Sequence, residues 1–417
     1  MTLKKRPKTM SCTVKDRAKA FLLLALLALL PACASTPHRV NVSQAQLATF
    51  LADKPPVLKS HFSQLLRGGK RDQVLNQVQT GLAAFEAGEY TWAENLFDQA
   101  LAQIEAVYAD NPQAEKARSL WYNEDVKDFK GEPYERVMTY YYRGLLYLRQ
   151  GDYENARACF KSSILQDAFA EEGQNRFDFA LVLFLEGWCS RLLGDEALAQ
   201  ETFAELKLLR PDLTLPGANH NTLVIVETGN SPRKVSDGIG HAELKYRRGK
   251  NFSEAKVSLE WNNSVRPMYP IEDIYRQAAT RGGRPVDKIL DGKVFYMRKG
   301  MEIGSILSEA STVATMFTTL ASGGGGGLEY IGGALSVAGG VTTLVSMNIK
   351  THADTRYWNN LPDGVHIFTT QGSPSAKTQA IFLAGDGSRT ELHKKPIDLS
   401  FDRKGHGFAW SRSRTAL

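Results

Sequence analysis

The chain has 417 residues, of which 51 are basic and 45 acidic, so its formal net charge is +6. Residues 1–32 hold seven of the basic residues and one acidic residue, and the remainder holds 44 of each. A nucleic-acid partner would need a basic surface that displaces counterions from phosphate. The neutral remainder therefore argues against nucleic-acid binding, and its length suits two or more domains with their own cores.

An apolar run closes the N-terminal segment. Residues 20–30 form 11 consecutive apolar positions, which is signal-peptide length and too short to span a bilayer. The following Leu30-Pro31-Ala32-Cys33 resembles a bacterial lipobox, which implies that Cys33 is acylated and becomes the first residue of the mature chain. Ala34, where an Asp would favour the inner membrane, implies an outer-membrane lipoprotein facing the periplasm. An ordinary secretory signal that discards Cys33 is the alternative.

Three segments in the first half share one spacing. Each places Gly, Gly, Ala and Phe at offsets 0, 7, 12 and 16, starting from Gly81, Gly144 and Gly187. The first Gly allows two helices to approach, the second ends a helix with positive φ, and the Phe fills the gap between the pair. The pattern resembles the tetratricopeptide repeat. It predicts a helical array over residues 71–215, an insertion near 104–135, and further helix near 43–67 and 172–186.

Stacked repeats form a concave face that commonly holds a peptide or a partner helix. We expect positions on the first helix of each repeat to line it, and these positions are rich in Tyr, Trp and Arg, as are interaction hot spots. The alternative is that the aromatic residues are interhelical core. The predicted partner-binding residues are Gln79, Phe85, Tyr141, Tyr142, Arg149, Trp188 and Arg191.

The second half, residues 216–417, is predicted to be a small, mainly antiparallel β domain of sandwich type. A helix is expected at 271–280, and Arg233 and Lys234 fit either a solvated turn or a partner contact. The fold class is thus α+β, with a signal peptide at 1–32 and a helical lead-in at 33–70. Short β-branched or alternating runs predict strands at 222–227, 242–246, 255–261, 293–298, 365–370, 378–384 and 397–401, with the second and third paired as a hairpin.

Residues 302–350 are Gly-rich and almost free of charge, with five consecutive glycines at 323–327. They predict a helical hairpin whose small residues let two helices approach closely. Packing on the protein, contact with the membrane and disorder are all open; frequent Thr and Ser and the glycine run favour packing. Beyond the hairpin, Asp354 and Arg356 are expected to form a local ion pair, with Trp358 and Leu361 docking the segment on the sheet.

Residues 227–234 and 353–362, together with the repeats, resemble an uncharacterised family of proteobacterial outer-membrane lipoproteins. Its members resemble companions of the penicillin-binding-protein activator and CsgG-type lipoproteins. The resemblance implies a location and a set of neighbours, and no activity.

Catalytic motifs are missing from the sequence. The eight histidines lack metal-site spacing, and HExxH, GxSxG and CxxC do not occur; Cys159 and Cys189 are expected to be buried rather than paired. We therefore expect no enzyme, no metal and no cofactor. The sequence predicts a lipid-anchored, periplasm-facing scaffold that binds cell-envelope proteins or peptides and could self-associate. Alternatives are a structural subunit of an outer-membrane oligomer that uses the hairpin, and a peptidoglycan-active enzyme.

Overall fold

The computed structural model describes residues 39–105, 128–167, 178–237, 243–280, 354–372, 377–385 and 390–415. The described residues of the first half are helical, and the last six helices among them pack as three consecutive pairs, α3 with α4, α5 with α6 and α7 with α8. The predicted repeat array is confirmed. The helices are α1 (Gln44–Phe50), α2 (Lys59–Gly68), α3 (Gln73–Glu86), α4 (Tyr90–Glu105), α5 (Pro133–Gln150), α6 (Tyr153–Asp167), α7 (Ala180–Leu192) and α8 (Glu196–Leu209).

The repeat spacing has the predicted physical basis. A Cβ placed on Gly144 would lie 2.5 Å from the ring of Phe160, which is closer than real Cβ contacts allow. The equivalent distance from Gly187 to Phe203 is 2.8 Å. Gly151, the second glycine of the middle repeat, ends α5 in the left-handed region with φ of 77°, where glycine carries no steric penalty.

The described residues of the second half lie mainly in strands, which form three sheets. Sheet A has the order β10-β11-β1-β7-β6 and sheet C the order β5-β4-β8-β9, while β2 and β3 form a separate two-stranded ribbon. Among the strands that the structure describes, all pairs are antiparallel except β1 with β11, which run parallel. The elements are β1 (Thr222–Thr228), β2 (Arg233–Asp237), β3 (Glu243–Arg247), β4 (Glu254–Trp261), β5 (Ser264–Pro267), β6 (Tyr269–Asp273), α9 (Ile274–Ala279), β7 (Gly364–Thr370), β8 (Gln379–Ala384), β9 (Glu391–Pro396), β10 (Ser400–Phe401) and β11 (Gly407–Arg412).

Sheet A lies between the helical array and sheet C. Side chains alternate across a strand, and on the fully buried β1 both faces are apolar. Leu223 and Ile225 belong to the core shared with the helices, whereas Val224 and Val226 belong to a second core shared with sheet C. The described part of the chain is thus three-layered, with helices, sheet A and sheet C in that order.

Several local predictions about the second half are wrong. Strands β3 and β4 do not form a hairpin, because β3 pairs with β2 and β4 pairs with β5 and β8. The helix expected at 271–280 starts only at Ile274, since the preceding residues continue β6 along β7. Lys234 is not in a solvated turn: it lies in β2, is 5% exposed and pairs with Glu132 at 2.6 Å.

Several other predictions fall outside the described residues. These are the signal segment with Cys33, residues 106–127 of the insertion predicted near 104–135, the strand at 293–298 and the Gly-rich hairpin at 302–350. Among the described helices, none combines the length and the apolar character that crossing a membrane requires.

Candidate functional site: the inner face of the helical repeats

The inner face of the array is covered by the chain's own residues. Phe85, Tyr141, Tyr142 and Trp188, four of the seven residues predicted to bind a partner, are at most 4% exposed. Phe85 stacks on Trp410 of β11 with the ring centroids 4.3 Å apart. The structure thus gives these side chains intramolecular contacts in place of an open groove.

The remaining three predicted residues are partly exposed. The Gln79 carbonyl accepts a hydrogen bond from the side-chain amide of Asn360. The Arg149 guanidinium lies over the ring of Tyr90 at 3.6 Å, and Arg191 donates to the Pro216 carbonyl at 2.9 Å. Partner binding by any of the seven remains a prediction.

A buried carboxylate joins sheet A to the middle repeat. Glu227, at the end of β1, is 1% exposed and accepts hydrogen bonds from the hydroxyls of Tyr141 at 3.1 Å and Tyr142 at 2.9 Å. The indole of Trp410 donates to the same carboxylate at 3.0 Å, and Arg412 forms an ion pair with it at 3.0 Å. Such a cluster suits a low-dielectric site, because every oxygen of the carboxylate has partners.

Burial shifts the ionisation of this cluster. It raises the pKa of the Glu227 carboxyl, although Arg412 and the donated hydrogen bonds oppose the shift. Burial and the nearby Glu227 carboxylate raise the pKa of both Tyr141 and Tyr142 well above the ordinary value. The two hydroxyls therefore stay protonated and act as donors at neutral pH.

The third pair of helices has a similar carboxylate contact with β6. The backbone N–H of Leu181, in the first turn of α7, donates to Glu272 at 3.2 Å. Gln277 donates to the same side chain at 3.0 Å, and Arg210 lies 3.5 Å away. Burial raises the pKa of Glu272 to about 7, against the opposing charge of Arg210. The carboxylate caps a helix end whose amides lack partners within the helix.

The segment before β7 docks on both the helices and sheet A, and Arg412 of β11 donates to its Asn360 carbonyl at 2.6 Å. Trp358 is fully buried, with its ring 5.7 Å from Tyr142 and 6.3 Å from Phe97. Its backbone N–H donates to the Glu135 side chain of α5 at 2.7 Å. The expected docking role of Trp358 and Leu361 is thus correct, because both side chains lie in the core that includes sheet A. The aromatic ring of Trp358 additionally fits between two repeats, a contact that was not expected.

The predicted ion pair of Asp354 and Arg356 is confirmed at 2.8 Å. Arg356 also forms an ion pair with Asp72, just before α3, at 2.7 Å. The guanidinium therefore bridges the segment before β7 and the first repeat pair. Both carboxylates and the cation are largely buried, so the pair is shielded from solvent and from salt.

Sequence reasoning missed Glu227 as the central polar group of this face. The available signal was a single acidic residue at the end of the apolar run at 222–227, with Trp410 and Arg412 in alternate positions of a later strand. Pairing β1 with β11 brings these groups together. That pairing joins residues about 185 positions apart, for example Thr222 with Gly407, and has no local sequence signature.

The described residues show neither a cluster suited to a metal ion nor a thiol suited to nucleophilic chemistry. Among them, no group of three or more His, Cys, Asp or Glu residues is arranged to hold a metal ion. Cys159 and Cys189 are free thiols, and Cys189 is buried. Burial raises the pKa of Cys159 to about 12 and that of Cys189 further still, which suits structural rather than reactive thiols.

A comparison with protein-family models matches residues 137–167 to the tetratricopeptide repeat. The matched residues begin within α5 and end with α6, which is the middle repeat of the array. The chain contains a tetratricopeptide repeat. No curated protein and no solved structure matches the chain. Tetratricopeptide domains are typically non-catalytic scaffolds, and the repeat supports a role in binding other proteins.

Proposed function

We propose that the chain is a lipid-anchored scaffold of the cell envelope. In this proposal Cys33 carries the acyl anchor, the molecule faces the periplasm from the outer membrane, and the repeats bind envelope proteins. The match to the tetratricopeptide repeat supports the scaffold role. Signal-peptide length and the small residues before Cys33 support the anchor.

The observation that carries the proposal is a repeat array whose inner face already holds its own sheet. Because Glu227 and Trp410 fill that face, a partner that leaves the fold intact must bind elsewhere on the array. Among the described residues of the second helices, Leu165 of α6 is 61% exposed and Leu208 of α8 is 82% exposed. We therefore place the partner contact on this outer face.

Site-specific photo-crosslinking in native membranes tests the partner surface. A photoreactive residue at position 208 or 165 should yield discrete adducts with envelope proteins. The same residue at Lys256, an exposed position of sheet C, is the matched control and should yield none. Adducts from position 256 alone would contradict binding through the repeats.

Fractionation of cysteine variants tests the anchor. Cys33→Ala should move the protein from the membrane to the soluble periplasmic fraction, because one acylated cysteine is the proposed attachment. Cys12→Ala, which removes a cysteine upstream of the lipobox, should leave the protein in the membrane. Membrane retention of the Cys33→Ala chain would show that another segment anchors it.

A further inference from the structure

The ribbon formed by β2 and β3 has two different faces. Its inner face packs on the protein: Lys234 is buried against Glu132, and the ring of Tyr246 lies 5.9 Å from that of Tyr134. Because side chains alternate along a strand, the neighbouring positions lie on the outer face. These positions are Arg233, Val235, Lys245 and Arg247.

The outer face places like charges opposite each other. Arg233 pairs in register with Arg247, and Val235 with Lys245. Like charges directly opposite one another destabilise a strand pair. Lys245 and Arg247 are exposed, as is Lys250 just beyond the ribbon. Within the described part of the chain, no ion pair joins Arg233 or Arg247 to a carboxylate.

This concentration of positive charge is local. The chain after residue 32 has equal numbers of basic and acidic residues, so the ribbon is not part of a generally basic surface. The two acidic residues of the ribbon, Asp237 and Glu243, are opposite each other in the strand register, at the other end of the ribbon from Arg233 and Arg247. An anionic ligand at the basic end would relieve the repulsion between its arginines.

We propose that the outer face of the β2–β3 ribbon binds the phosphate groups of an anionic membrane surface. The basic end of the ribbon places Arg233, Lys245 and Arg247 at neighbouring positions of one face, and such a group of cations complements a negatively charged layer. The proposal rests on the proposed anchor at Cys33, which would hold the ribbon at high effective concentration near the lipid. Lipid contact at the ribbon would then set the orientation of the scaffold on the membrane.

Lysine footprinting of the full chain on vesicles tests this proposal. The protein is mixed with vesicles of phosphatidylcholine alone or with added phosphatidylglycerol, floated, and treated with an amine-reactive reagent. Lys245 and Lys250 should label several-fold more slowly on the phosphatidylglycerol vesicles, and 1 M salt should abolish the difference. Lys256 on sheet C is the internal control and should label equally on both.

A charge variant gives a second readout. Arg233→Gln/Arg247→Gln should shift the ribbon roughly 30-fold toward the unbound state, at about 1 kcal/mol for each basic residue near the surface. Lys256→Gln/Arg266→Gln removes the same charge from sheet C and should keep the protection. If a variant fails to fold, the labelling of the unmodified chain on the two kinds of vesicle still tests the proposal.

Each outcome distinguishes the ribbon from the anchor. Flotation with both kinds of vesicle but equal labelling of Lys245 and Lys250 would overturn the ribbon proposal and leave the anchor standing. Flotation with phosphatidylglycerol vesicles alone, with both lysines protected, would support the ribbon and contradict the anchor. Flotation with neither would overturn both. Protection in native membranes together with equal labelling on both vesicles would indicate an acidic protein and overturn the lipid assignment.

Discussion

Glu227 shows how one side chain connects the two halves of this chain. Its carboxylate receives donors from α5 and from β11, so both the helices and the sheet supply its partners. Arg412, its counter-ion, is only 3% exposed. Removing one member of a buried ion pair leaves the other charged group buried without compensation, which costs far more than the net contribution of the intact pair.

Glu227→Gln should therefore lower the free energy of unfolding by about 3–5 kcal/mol, measured by urea denaturation. Glu391→Gln is the matched control, because Glu391 pairs with Lys394 at 3.4 Å on the exposed β9, and it should change stability by less than about 1 kcal/mol. Adding Arg412→Gln to Glu227→Gln should cost less than the sum of the two single changes. Equal effects of the two glutamate variants would contradict a buried, coupled pair.

Glu272 predicts a pH dependence with a defined sign. Its pKa in the folded chain is about 7 against a usual value of 4.5, so the folded state binds more protons than the unfolded state between these values. Stability must then fall as pH rises through this window, by about 3 kcal/mol at most. Glu272→Gln removes that dependence, so its stability relative to the unmodified chain should improve between pH 5 and pH 8.

Glu254 provides the control for this titration. Burial opposes its ionisation, but hydrogen bonds from Arg414 and Ser413 lower its pKa to about 2. Its stabilising contribution is present above pH 4.5 and is lost only as pH falls toward 2. The deficit of Glu254→Gln should consequently stay constant from pH 5 to pH 8. A constant difference for Glu272→Gln as well would contradict the raised pKa.

At the scale of elements, the contact of Gly144 with Phe160 distinguishes packing from helix propensity. Alanine is normally the better helix former by about 1 kcal/mol, so an unconstrained glycine would gain stability on substitution. In α5 the added Cβ would meet the Phe160 ring at 2.5 Å, and overpacking costs about 1–3 kcal/mol. Gly144→Ala should thus lower the melting temperature by several degrees.

A second substitution separates this clash from other causes. Phe160→Leu shortens the side chain that occupies the space. The double variant Gly144→Ala/Phe160→Leu should therefore lose less stability than the sum of the losses caused by the two single changes. A melting temperature for Gly144→Ala that equals or exceeds that of the unmodified chain would contradict the close helix contact.

The helical elements were predictable because their information is local. Gly144, Gly151 and Phe160 lie within one helix pair, and each contributes a contact that fixed spacing alone specifies. The pairing of the strands is harder to predict: the sequence predicts a hairpin of the strands at 242–246 and 255–261, whereas β3 pairs with β2. Pairing between β1 and β11 depends on the folding of almost the entire second half, so no local pattern encodes it.

At the scale of the whole molecule, the helices and sheet A share one core. Aromatic residues of the repeats, such as Tyr142, lie in the same apolar cluster as Ile225 and Phe408 of sheet A. Phe85 and Tyr142, two of the seven candidate partner residues, are buried against Trp410 of sheet A, and partner binding by the seven remains a prediction. The strands that cover these side chains were not predictable, because they are distant from the repeats in sequence.

The central claim is that the chain's own sheet fills the inner face of the helical array. Tyrosine footprinting of the full protein in native membranes tests it most directly. Tyr141 and Tyr142 are fully buried, whereas Tyr147 of the same helix and Tyr275 of α9 are partly exposed. Iodination followed by peptide mapping should modify Tyr147 and Tyr275 and leave Tyr141 and Tyr142 unmodified. Modification of Tyr142 at the rate of Tyr147 would contradict the filled face and show an open groove.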